Sequence, residues 1–118
     1  MRCLMICFIV WVAATALAEE TAVAVHYKQA CLLRDSGDFL AAIEEVATGI
    51  ALNPPEKEWL AKSELLIAEL YLKLGILNSA EVTARQVEML YPGTEFETEA
   101  KTLRAKIKQL TETSGEPE

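Results

Sequence analysis

A block of residues occurs twice in this chain, 38 positions apart: Ala30, Leu33, Gly37, Ala42, Leu52 and Pro54 recur as Ala68, Tyr71, Gly75, Ala80, Leu90 and Pro92. In each copy a small residue and a bulky apolar one precede a glycine. An alanine follows five residues after the glycine, and a proline closes the block seventeen after it. This is the pattern of a helix, a turn and a second helix. A unit of that size cannot bury its own apolar face, so it must stack on a neighbour. The chain is expected to be all-α, a short helical solenoid whose use lies in its surface.

The breaks along the chain divide it into five helices, and nothing reads as strand. The first is expected over 20–36, ending at Gly37, which tolerates positive φ. The second spans 39–52, with Asp38 placed to cap its start, and Asn53-Pro54-Pro55 stops it. The third, 56–74, is apolar nearly all round and should be packed on several sides. Gly75 ends it. Asn78 with Glu81 reads as a capping box for a fourth helix reaching Tyr91, and Thr94 with Glu97 as another for a fifth over 95–111. The fifth helix carries Phe96, Ala100, Leu103, Ala105, Ile107 and Leu110 among many charges, so one face packs and the other is wet. A polar tail, 113–118, closes the chain.

Residues 1–18 have the form of a cleavable export signal. Arg2 supplies the charged start, Cys3 to Leu17 is uncharged, and Ala16-Leu17-Ala18 precedes Glu19 and Glu20 with a small-x-small pattern. The uncharged run is shorter than the roughly 20 residues a membrane helix requires, which favours cleavage over anchoring. The alternative is an uncleaved amphipathic or core helix. The domain proper is then 19–112, divided into hairpins 20–54 and 55–92 and a closing helix 94–112. The net charge is −7, and loss of Arg2 makes it more negative still. Nucleic acid, which demands a basic face, is excluded as a partner. Cys31 would be the sole thiol left after cleavage, either buried and inert or bridging two chains.

The stretch Gly37 to Ile43, followed by Leu52-Asn53-Pro54, resembles the turn, second-helix alanine and closing proline of the tetratricopeptide repeat. Gly75 to Ala80, followed by Leu90-Tyr91-Pro92, is similar. That resemblance implies a right-handed solenoid of two hairpins plus a capping helix, with Ala30, Ala42, Ala68 and Ala80 at the close helix contacts. The family's early tryptophan is replaced by His26 and Glu64, and Gly49 stands where a packing alanine is expected. The family repeat is 34 residues long; the excess of four here falls before Ala68, so the third helix should gain a turn at its start, bearing Trp59. The Tyr91-Pro92 ending and the Gly93-Thr94 restart resemble repeats of bacterial envelope proteins, which implies a periplasmic location, with an extracellular one as the alternative.

Chemistry of other kinds is sparse. His26 is the lone histidine, and Glu19-Glu20, Glu44-Glu45 and Glu97 with Glu99 read as solvated or helix-dipole-matched charge. No phosphate loop or zinc spacing occurs. The expectation is a non-enzymatic scaffold without metal or cofactor. By resemblance its partner surface is the wall formed by the first helix of each hairpin: Tyr27, Cys31 and Arg34, then Lys62, Leu65, Glu69, Leu72 and Lys73. The family's basic-and-asparagine clamp for a terminal carboxylate is absent at Tyr27, Cys31 and Glu69, so an apolar helix or extended protein segment is the better ligand. Leu65 and Leu72 either face that ligand or pack beneath the fifth helix. Self-association, as a homodimer or as a holding chaperone for apolar segments, is the rival use.

Overall fold

The computed structural model describes residues 22–52 and 56–114. The export segment with its Ala16-Leu17-Ala18 pattern, the Asn53-Pro54-Pro55 stop and the end of the polar tail lie outside the described residues. Within them the protein is all-helical: α1 Ala22–Asp35, α2 Phe39–Leu52, α3 Lys57–Lys73, α4 Leu77–Leu90 and α5 Glu95–Ser114. Helix α5 continues past the expected Thr111 to Ser114.

The two hairpins turn by the same hydrogen-bonded device. In the first, Gly37 N–H bonds Arg34 C=O at 3.0 Å and Asp38 N–H bonds Leu33 C=O at 2.9 Å. In the second, Gly75 N–H bonds Leu72 C=O at 3.0 Å and Ile76 N–H bonds Tyr71 C=O at 2.9 Å. This paired closure uses up carbonyls that the helix end leaves without partners. It requires a left-handed residue, and the glycines supply it with φ of +86° and +78°. Any Cβ there would be strained.

The helix starts differ. Asp38 caps α2 through Oδ1, which accepts from Ala41 N–H at 3.4 Å. The corresponding start of α4 is two residues earlier than the Asn78 box implies: helix begins at Leu77, Ile76 is its N-cap, and no side chain caps it. The turn at Gly75 already feeds the chain into helix, since Ile76 C=O accepts from Ala80 N–H at 3.1 Å. Asn78 is then inside the helix, and Glu81 is free to pair elsewhere. At α5, Thr94 and Glu97 act in modified form. Thr94 Oγ1 donates back to Tyr91 C=O at 2.6 Å, and Glu97 reaches Gly93 N–H at 3.4 Å.

Each helix packs on the next in sequence, and in addition α3 touches both α1 and α5. Among the described residues no contact joins α2 to α4. The odd helices therefore form a continuous row with α3 in the middle, and the even ones back it separately. Contact surfaces are lined with small residues: Ala30, Ala42, Ala61, Ala68, Ala80, Ala84 and Ala100 are fully buried. Alanine lets the helix axes approach closely, at the cost of a thin core. The bulkiest fully buried side chains are Leu70, Val46 and Val87, each contributing about 1.5 to 3 kcal/mol.

Two sequence departures explain each other. Helix α2 passes so near α1 that a Cβ built on Gly49 would lie 2.6 Å from the Cβ of His26. Position 49 must therefore lack a side chain while His26 occupies the interface. The His26 ring is fixed there by Nδ1, 2.6 Å from Oε1 of Glu45 on α2.

Candidate functional site

The extra turn at the start of α3 brings Trp59 against α1. Its indole meets Tyr27 edge to face, centroids 5.6 Å apart at 67°, an arrangement worth about 0.5 to 1.5 kcal/mol beyond area burial. Lys62 Nζ stands 4.8 Å over the same indole and 3.7 Å from Glu58. Two turns along α1, Arg34 faces Glu69 of α3 at 3.8 Å and its own neighbour Asp35 at 3.2 Å. Tyr27 and Cys31 are both half-buried and pack on the core around Ala30 and Leu70. Burial, and then the adjoining Cys31, pushes the Tyr27 hydroxyl above its ordinary value. The α1 half of the expected wall is thus largely closed against α3, its polar groups occupied by one another.

The α3 half opens instead toward α5. Leu65, Glu69, Leu72 and Lys73 line a single groove of about 360 Å³, whose other bank is Thr98, Glu99, Thr102, Leu103 and Lys106 of α5. Leu65 and Leu72 are half-buried. Leu65 leans on the core cluster that holds Phe96 and Ala100, and it lines the groove with its remaining surface. Packing under the last helix and facing a groove are, for this residue, two sides of one side chain. Of the eight expected wall residues, four share this groove. Tyr27, Cys31, Arg34 and Lys62 lie apart from it.

The α5 bank was not expected from the sequence. A capping role for α5 does not by itself place it beside α3, which the structure does. The spacing of Glu99, Thr102, Leu103 and Lys106 on one helical face was the available signal.

A larger hollow of about 740 Å³ lies between α4 and α5, over Glu81, Arg85 and Arg104. Of its four charged side chains, Glu81, Arg85 and Arg104 already satisfy one another, while Lys108 makes no ion pair among the described residues. Glu81 accepts from Arg104 at 2.9 Å and from Arg85 at 3.0 Å, and Arg104 also reaches Glu88 at 2.6 Å. These bonds tie α5 to α4 and leave little for a ligand. In the α3–α5 groove Glu69 pairs with Arg34, whereas Lys73, Glu99 and Lys106 make no ion pair among the described residues.

Away from both grooves, α4 exposes an apolar stripe: Val82 is 63% and Met89 72% accessible, with Leu90 beside them. Among the described residues no group of three or more histidines, cysteines or acids is arranged to hold a metal ion, and no helix is long and apolar enough to cross a membrane. No family model, curated protein or solved structure matches the chain.

Proposed function

We propose that this protein is an exported adaptor of a bacterial cell envelope, a right-handed solenoid of two tetratricopeptide-like hairpins plus a capping helix. It binds an apolar helix or extended segment of a protein partner and performs no chemistry of its own. The observation that carries this reading is the α3–α5 groove. It joins Leu65, Glu69, Leu72 and Lys73, picked out from sequence for partner binding, on one concave surface with an apolar floor. The solenoid reading is supported by the identical glycine turns and by a row of odd helices backed by unconnected even ones. Export is supported by Arg2, the uncharged run to Leu17 and Ala16-Leu17-Ala18.

The test is cross-linking in intact cells with the parent protein and with Leu65→Glu/Leu72→Glu. A cross-linked partner that the folded double variant no longer captures supports the groove. Retained capture by a folded variant sinks it. If the double variant unfolds, Leu72→Glu alone serves, because Leu72 lies outside the cluster on which Leu65 packs. Intact mass of the exported protein should begin at Glu19, and a membrane-bound species retaining Met1 would refute cleavage.

Self-association is the second reading, favoured by the exposed Val82 and Met89 stripe. Sedimentation of the parent beside Val82→Glu/Met89→Glu decides it. A dimer that the variant dissolves makes that stripe the working surface.

A further inference from the structure

We infer that the segment received by the α3–α5 groove is polarised, with apolar side chains between Leu65, Leu72 and Leu103 and an acidic side chain at the end marked by Lys73 and Lys106. The inference rests on the groove being the partner site, and it adds the partner's chemistry.

It follows from the placement of charge. Leu65 packs on the cluster containing Phe96 and Ala100, which sets the middle of α3 beside the first turns of α5. The later residues lining both banks are Lys73 and Lys106, so two ammonium groups from different helices fall at the same end of the groove. Neither has an ion-pair partner among the described residues. Glu99 lies two helical turns before Lys106, about 10 Å along the axis, and it too is without an ion pair there. The apolar floor lies between.

Lys73 and Lys106 bring two like charges to one end of the groove in a protein whose net charge is −7; of the acids in the lining, Glu69 is engaged with Arg34 at 3.8 Å and Glu99 lies toward the other end. Elsewhere the cations nearest the wall are matched: Arg34 by Glu69 and Asp35, Lys62 by Glu58. The unmatched pair sits where a ligand's carboxylate would be partly desolvated by the leucines, a setting in which charge complementarity sets register and excludes wrong partners. A basic residue of the same segment would fall near Glu99, fixing the direction in which the segment lies.

The experiment is selection from a displayed library of random peptides against the purified protein, with affinities of individual winners measured by fluorescence anisotropy. Peptides that carry Asp or Glu about one helical turn from an apolar cluster should be enriched. Lys73→Glu/Lys106→Glu, both on exposed side chains, should weaken them at least about tenfold. Repeating the selection on that variant should return lysine or arginine in place of the acid. Winners that Leu72→Glu abolishes but that lack the acid and ignore the lysine reversal would overturn the polarity while leaving the groove as the partner site. Winners that ignore Leu72→Glu, or none at all, would remove the groove and the inference with it. A dimer of the parent that Leu72→Glu or Leu103→Glu dissolves would put a second copy in the groove and overturn the inference as stated.

Discussion

At equivalent positions the first hairpin carries His26, Asp38 and Gly49, and the second carries Glu64, Ile76 and Val87. Their turns are superimposable in hydrogen bonding and their contact alanines are equally buried, so the backbone plan is shared. What differs is how the space between the helices is filled. In the first hairpin an imidazole lies across the interface and a glycine makes room for it. In the second the fully buried Val87 stands at the position of the glycine, packed with Ala61, Tyr91 and Phe96, and the Glu64 carboxyl, pushed up by burial, is held back by the Tyr91 hydroxyl. A repeat can thus hold its geometry with two unrelated sets of side chains. The invariant part is the small residue where backbones meet, because no rearrangement of neighbours can accommodate a larger one there.

The sharpest way to break this equivalence is to overpack both contacts. Ala42→Trp and Ala80→Trp should each cost well over the about 1 to 3 kcal/mol typical of added core methylenes, read as the loss of midpoint in thermal or urea melts. If either melt coincides with that of the parent, the two positions are not equivalent. The next test belongs to the first hairpin alone. Gly49→Ala should gain up to about 1 kcal/mol of helix propensity. The 2.6 Å approach to the His26 Cβ forces α1 and α2 apart at about 1 to 3 kcal/mol, so the net change should be a loss. A rise in stability would show that α1 yields freely.

A smaller effect is expected at the helix starts. Asp38→Ala should cost about 0.5 to 1 kcal/mol, whereas Ile76→Asp should give part of that back to α4, which has no side-chain cap. Shifts in melting temperature of opposite sign, the Ile76→Asp gain being the smaller, would establish the two sites as the same cap position. The smallest effect concerns Glu64. Burial raises its carboxyl above the ordinary 4.5, with Tyr91 opposing, and its Oε2 is buried without a partner. A raised acid binds its proton more tightly when folded, so stability declines as pH rises from the unfolded value through the folded one. Glu64→Gln should flatten that decline and leave the protein slightly more stable at neutral pH. Melts from pH 4 to 7 decide it, and an unchanged slope would remove Glu64 as the cause.

Much of the architecture was legible in the sequence because glycine and proline act locally. Gly37, Gly75 and Gly93 all take positive φ, and the helix bounds fall within a few residues of those expected. The start of α4 differs from the sequence expectation because Asn78 and Glu81 satisfy a local capping pattern that the chain does not use. The turn two residues earlier already commits the backbone, and Glu81 pairs with Arg85 one turn on and with the distant Arg104. The second pairing spans 23 positions in sequence and leaves no periodic trace. The candidate site was half legible for the same reason. The α3 bank follows from its place in the repeat, whereas Leu103 and Lys106 join it only once α5 is docked. The compensation of His26 by Gly49 was visible as two separate departures from the repeat, and only the distance between them makes them one.

Helix α5 buries Phe96, Ala100 and Ile107 against the rest and is otherwise held by the Arg104 bridge to Glu81 and Glu88. It packs on α3 and α4 and on no other helix among the described residues, so it can open without disturbing α1 and α2, ahead of global unfolding. Yet it supplies one whole bank of the groove. Occupancy and helix docking are therefore linked equilibria: the groove exists only in the docked population, and a ligand present at a hundredfold excess over its Kd holds that population down by about 2.7 kcal/mol. Amide exchange in α5 should slow on binding, while amides of α1 and α2 keep their rates. Raised salt, by loosening the arginine bridge, should weaken a purely apolar ligand that carries no charge to be screened.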